Sequence, residues 1–190
     1  MALLPVMASL ALCGPAVAAE ALWAKNGHVL TETVASTWKG NVKLSMYLPG
    51  NLPYSAGCED TITGTVGPKG ATAMTKWTFS NCKNEGGECK KSPSIEALGS
   101  QPWDKGLAVI EKAVNNVLEP SRLEVGLRCG EGFFEVCNHV PNEILTNATG
   151  GVKAEYSRKA ISCTLGERAS FEGKQEITLI AGGVLSVKSE

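Results

Sequence analysis

TITGTV from Thr61 to Val66, GPKG from Gly67 to Gly70 and ATAMTKWTFSNC from Ala71 to Cys82 decide the fold. The first run is β-branched at nearly every position, the second is turn-forming, and the third places Trp77 and Phe79 on one face. Two such runs around a Gly-Pro turn read as a β-hairpin. Upstream, Val42-Lys43-Leu44-Ser45-Met46 alternates apolar and polar, the period of a strand with one buried face, and Pro49-Gly50-Asn51 ends it. Downstream, the polar segment Lys83 to Ser94, rich in Gly and Lys and holding Cys89, reads as a loop.

The remaining chain repeats the β signal. Leu123 to Leu127 alternates, Gly130-Glu131-Gly132 turns, and Phe133 to Val140 returns. Gly151 to Cys163 and Gly173 to Ile180 supply two more strands, and Ala181-Gly182-Gly183 leads into Val184 to Val187 as a closing hairpin. Leu107 to Leu118 is open between helix and strand. Its apolar residues fall at helical spacing, whereas its valines and Asn115-Asn116 weaken a helix. The fold expected is mainly β, an antiparallel β-sandwich or barrel of about eight to ten strands, with at most one short helix. Its inner face should hold Val42, Leu44, Met46, Ile62, Trp77, Phe79, Val125, Leu127, Ile177 and Leu179.

Composition removes several function classes. The chain has 190 residues, with 18 basic against 19 acidic side chains. That balance offers no basic excess for a phosphate backbone, so no nucleic-acid partner is expected. At 43% apolar and 19% charged, the chain is built for a core rather than for disorder.

Residues 1–19 read as a signal peptide. An uncharged apolar run from Leu3 to Leu12 is followed by Gly14-Pro15 and then Ala16-Val17-Ala18, an A-x-A pattern with cleavage after Ala18 or Ala19. No Lys or Arg precedes that run. Cys13 stands behind Leu12, where a lipoprotein box has a small residue, so a lipid anchor is not expected. Nor is a transmembrane segment. Residues 20–190 form one β-rich domain on this reading, secreted and extracellular.

Six cysteines remain: Cys58, Cys82, Cys89, Cys129, Cys137 and Cys163. An even number behind an export signal predicts three disulfides. No tight C-x-x-C-like pair suggests zinc, so neither metal nor other cofactor is expected. Fifteen pairings are possible. Cys58 and Cys82 flank the hairpin and are the first pair to expect.

The order of these marks resembles uncharacterised secreted proteins of soil actinobacteria. The matching features are Cys58-Glu59-Asp60-Thr61-Ile62-Thr63-Gly64, Phe79-Ser80-Asn81-Cys82, Pro102-Trp103, the Leu123 to Cys129 strand, and the glycines from Gly150. Gly182-Gly183-Val184-Leu185-Ser186-Val187 also matches. The resemblance implies a strand after Pro102-Trp103, which favours strand over helix at Leu107 to Leu118, and it implies no activity.

Candidate chemistry is sparse. A Ser-His-Asp triad would need His28 or His139 with Asp60 or Asp104, and no G-x-S-x-G elbow accompanies them. Glutamates are plentiful enough for a paired-carboxylate hydrolase. Yet Glu124, Glu135, Glu155 and Glu176 occupy the polar phase of their strands. Asn147-Ala148-Thr149 satisfies the glycosylation sequon. Trp38 and Trp103, near loops or strand starts, are the candidates for an exposed ligand platform. The function expected is a secreted, non-catalytic β-domain that binds an extracellular ligand or protein partner or decorates the cell surface. The alternatives are a carboxylate-based hydrolase and an inhibitor of a secreted enzyme that presents the Lys83 to Ser94 loop.

Overall fold

The structure is a computed structural model that describes residues 21–48, 50, 52–87, 89, 92–98, 109–112, 115–118, 124–130, 133–138, 143–164 and 168–189. The expected signal peptide, Cys13, Trp103, Asp104 and His139 lie outside them. Among the described residues the chain forms fourteen strands and one 3-10 turn, Pro68–Gly70. The strands are β1 Ala21–Lys25, β2 His28–Val29, β3 Val34–Leu48, β4 Leu52–Val66, β5 Thr72–Gly87, β6 Pro93–Leu98 and β7 Val109–Lys112. They continue as β8 Asn115–Leu118, β9 Glu124–Cys129, β10 Phe133–Asn138, β11 Glu143–Asn147, β12 Val152–Cys163, β13 Arg168–Leu179 and β14 Leu185–Ser189.

Eight strands follow the order β5-β4-β3-β13-β12-β10-β9-β6, and every ladder is antiparallel. Its two end strands, β5 and β6, lie against each other, so the sheet curls into a barrel. Among the described residues that seam has no ladder across it. β12 divides its second edge, pairing with β10 near Cys163 and with β11 near Val152, and β11 continues through β8 to β7.

Alternation accounts for the interior. Trp38, Val42, Leu44 and Met46 of β3, Ile62 of β4, Phe171 and Ile177 of β13 and Leu127 of β9 are buried in one cluster. The expected inner face is met throughout, with Phe79 half-buried and packed on Trp77 at 4.8 Å between ring centroids. In the opposite phase Lys39, Glu59, Glu155, Glu172, Lys174 and Glu176 face outward. Apolar inside and charged outside is the reverse of a transmembrane barrel's order. No helix among the described residues is long and apolar enough to cross a membrane.

The second sheet, β14-β1-β2, caps the barrel end where β4 finishes and β5 begins. β1 is buried on both faces, and the Trp23 indole N–H donates to Thr72 Oγ1 at 2.9 Å. A continuous apolar run without alternation explains why ALWAK carries no strand period in the sequence. The expected closing hairpin of β13 with β14 does not form. Both edges of β13 are taken, by β12 and β3, so the chain turns through Gly182 and Gly183, both at positive φ, and adds β14 to β1 instead.

Two other expectations change. β5 runs on to Gly87, where it pairs with Tyr54, and β6 starts at Pro93, so the expected loop from Lys83 to Ser94 shrinks to the residues between them. Leu107 to Leu118 contains β7 and β8, paired from Val109–Leu118 to Lys112–Asn115, as suits its β-branched residues.

All six cysteines are paired: Cys58–Cys82, Cys89–Cys129 and Cys137–Cys163. The first joins β4 to β5 at a bulge, where the register steps from Gly57–Lys83 to Glu59–Ser80. Asn81, at φ 50°, makes that step, and its amide donates to Glu59 Oε2 at 2.7 Å.

The Asn147 sequon acquires a structural reading. Its side-chain N–H donates to Val187 O at 2.9 Å, and its carbonyl accepts from Val187 N at 2.7 Å. One amide thus imitates a neighbouring strand and closes the β14 edge, occupying the nitrogen to which a glycan would attach. Asn147→Ala should cost about 1–3 kcal/mol by leaving both Val187 groups unpaired. Urea unfolding checks this; a change below about 0.5 kcal/mol would show that water replaces the amide fully.

Candidate functional site

Among the described residues two places concentrate chemistry: a buried carboxylate in the barrel wall and a cavity at the barrel rim opposite the cap. The carboxylate is Asp60, which shares the inward phase of β4 with Cys58 and Ile62. In register it faces Phe79 on β5 and Gly40 on β3, and Gly40 in turn faces Gln175 on β13. With no side chain at Gly40, the Gln175 amide reaches across β3 to Asp60 Oδ2, which also accepts from Trp77 Nε1 at 2.9 Å. A Cβ on Gly40 would lie 2.7 Å from Gln175 Cα and closer still to the Lys174 carbonyl.

Asp60 is 2% exposed. Burial pushes its carboxyl up from 3.8 to about 6, against the opposing pull of the bonds from Trp77 and Gln175. Asp60 Oδ1 and Gln175 Oε1 have no partner, so a proton on Asp60 meets a real shortage of donors. Triad chemistry is not assembled around Asp60, because its side-chain partners are an indole and an amide within the core, while His28 is exposed on β2. In the sequence Asp60 stands as a triad candidate and within the Cys58 to Gly64 motif. The signal for its burial was its phase, in step with Cys58 and Ile62.

The rim cavity has a volume of about 410 Å³. It lies where β3 ends, β4 begins, β5 ends and β13 begins, at the barrel end opposite the cap. Inward-phase residues (Met46, Tyr54 and Ala169) and outward-phase residues (Ser45, Tyr47, Ser55 and Ser170) both line it, so it straddles the rim. Pro53, Gly86 and Gly87 complete the lining, which holds no charged residue among those described. Tyr47 is 50% exposed and Leu52, at the start of β4, is 43% exposed. The Ser45 and Ser55 hydroxyls bond each other at 2.8 Å across β3 and β4. Tyr54 is buried, and burial pushes its phenol up to about 12.

Smaller, more polar hollows of about 240 and 370 Å³ lie along β3, β4 and β5, lined by Asn41, Glu59 and Ser80 or Asn81. Beside them Lys43 Nζ lies 3.0 Å from Glu85 Oε2, and Glu59 Oε2 accepts from the Asn81 amide. Trp38, expected as an exposed platform, is fully buried and opposite Ile62 and Ile177. The reason is strand length: β3 starts at Val34, which puts Trp38 well inside the strand and in the phase of Val42. Tyr47 and Pro53, which the sequence reading did not single out, line the cavity instead. Glu155 and Glu176 are exposed and Glu124 is half-buried, each on a separate strand away from the cavity lining.

Comparison of the chain with known protein families, curated proteins and solved structures finds no match.

Proposed function

We propose that this protein is an extracellular, non-catalytic binding module that holds a small ligand in the rim cavity. The observation that carries the reading is the cavity itself: about 410 Å³, apolar and hydroxyl-lined, at the barrel end opposite the cap. That volume falls within the range of small-molecule sites, and a mostly apolar wall with a few polar groups is their usual make-up. The exposed Tyr47 ring in its lining supplies further apolar surface for a ligand to cover. Three disulfides support an oxidising, extracellular setting. A non-catalytic role is supported by where Asp60, the carboxyl raised toward neutrality, points: into Trp77 and Gln175 rather than toward a bound substrate.

Amide chemical-shift mapping of the exported protein against a panel of neutral, acidic and basic small molecules tests this reading. Binders should move the amides of Tyr47, Ser55, Gly87 and Ser170 together. Turnover of any panel member, or a panel that leaves these amides still, overturns it.

A further inference from the structure

We infer that the rim cavity takes an uncharged amphiphile, seating its apolar tail on Met46, Pro53 and Ala169 and its alcohol headgroup on Ser45, Ser55 and Ser170. The inference rests on the cavity being the binding site and adds the chemistry of the occupant. The tail follows from the apolar part of the lining, the side chains of Met46, Pro53 and Ala169 beside Gly86 and Gly87, which have none. The headgroup follows from donor arithmetic. Ser45 and Ser55 spend one hydroxyl hydrogen on their mutual bond, at 2.8 Å, and keep the other, together with spare lone pairs on both oxygens. Ser170, on the strand beside Ser45, adds one more hydroxyl to the same wall.

An alcohol both donates and accepts, so it satisfies such a set and is satisfied by it. A carboxylate only accepts, and an ammonium only donates. Either charge would leave water for a wall whose described lining residues hold no counter-charge, and an uncompensated charge is costly to bury. Tyr47 stands half-exposed beside the serines and offers its ring face to the headgroup's C–H surface.

Octyl glucoside and octanoate differ in headgroup and by only one methylene of tail, which is worth about fourfold at most, and both can be titrated below their micellar concentrations while amide shifts are followed. Octyl glucoside should move Tyr47, Ser55, Gly87 and Ser170 and bind at least about tenfold more tightly than octanoate. Ser55→Ala and Ser170→Ala should each weaken octyl glucoside by about three- to tenfold, the worth of one neutral hydrogen bond, and leave octanoate unchanged. Ser170→Lys should narrow the gap by strengthening octanoate alone. Equal binding of the two probes at these amides overturns the headgroup assignment and leaves the rim site standing. Shifts by neither probe, or shifts centred elsewhere, overturn both.

Discussion

Replacing Cys89 and Cys129 together by alanine is expected to lower the free energy of unfolding by about 4 kcal/mol, the chain-entropy value for a loop of this size. The bridge spans 40 residues of sequence, the longest of the three, and it sits at the seam between β5 and β6. β5 and β6 meet there without a ladder among the described residues. Cys89 lies between those two strands, while Cys129 is the register partner of Pro93, the first residue of β6. Cross-linking them fixes the crossing from one sheet end to the other, and Asn84 adds a side-chain bond to the Cys89 carbonyl. Cys137–Cys163 joins strands that already pair in register at those same two residues, so its loss removes a constraint the ladder partly duplicates. Urea unfolding of the double alanine variant reads the effect directly. Hydrogen exchange should show β6 and β9 losing protection before β3 and β13 do. A loss below about 1 kcal/mol, or uniform loss of protection, would mean that the seam is held by something other than the bridge.

How much of this was legible in the sequence depended on alternation. Where one face is buried and the other wet, as in Val42 to Met46 or Thr61 to Val66, the period gave both strand and inner face. Where a strand is buried on both faces, as at Ala21 to Ala24, no period exists to be seen. Pairing was legible only between neighbours in sequence joined by a turn. The β4–β5 hairpin and its Cys58–Cys82 bridge follow from local spacing. The pairing of β1 with β14 joins opposite ends of the chain and leaves no local mark. The rim cavity was hidden for a related reason: its wall comes from the ends of four strands, and a residue such as Tyr47 carries no sign in the sequence that its strand stops beside three others. Trp38 shows the converse error, since a strand start misplaced by a few residues turned a core side chain into a surface candidate.

Asp60 is the remaining case of a legible position with an illegible consequence. Its phase marks it as inward, but only the paired strands show that Gly40 clears the way for Gln175 and that, among the described residues, an indole and an amide rather than a basic side chain answer the charge. The inward faces around it present Trp77, Phe79 and Gln175 beside the bare Gly40 backbone. A carboxyl with a folded value of about 6 and an unfolded value near 3.8 holds its proton more tightly in the folded state. Between those values the folded chain binds more protons than the unfolded one, so stability falls as pH rises through the window. The contribution is intact below about pH 4 and lost above about pH 6. About two pH units at 1.36 kcal/mol each make the total loss about 3 kcal/mol. Asp60→Asn keeps an acceptor for the Trp77 indole and offers an amide that the unpartnered Gln175 Oε1 can accept from, and it has no charge to bury. It should therefore match the native chain near pH 3.5 and exceed it by about 2–3 kcal/mol at pH 7. Asp60→Leu would orphan both donors and should be less stable than Asp60→Asn at every pH. Urea unfolding of the native chain and the asparagine variant across pH 3.5 to 7 isolates this one group, since the other titrating side chains are common to both. Parallel curves would refute the buried-charge account, as would an Asp60 carboxyl that titrates below about pH 4.5 by NMR.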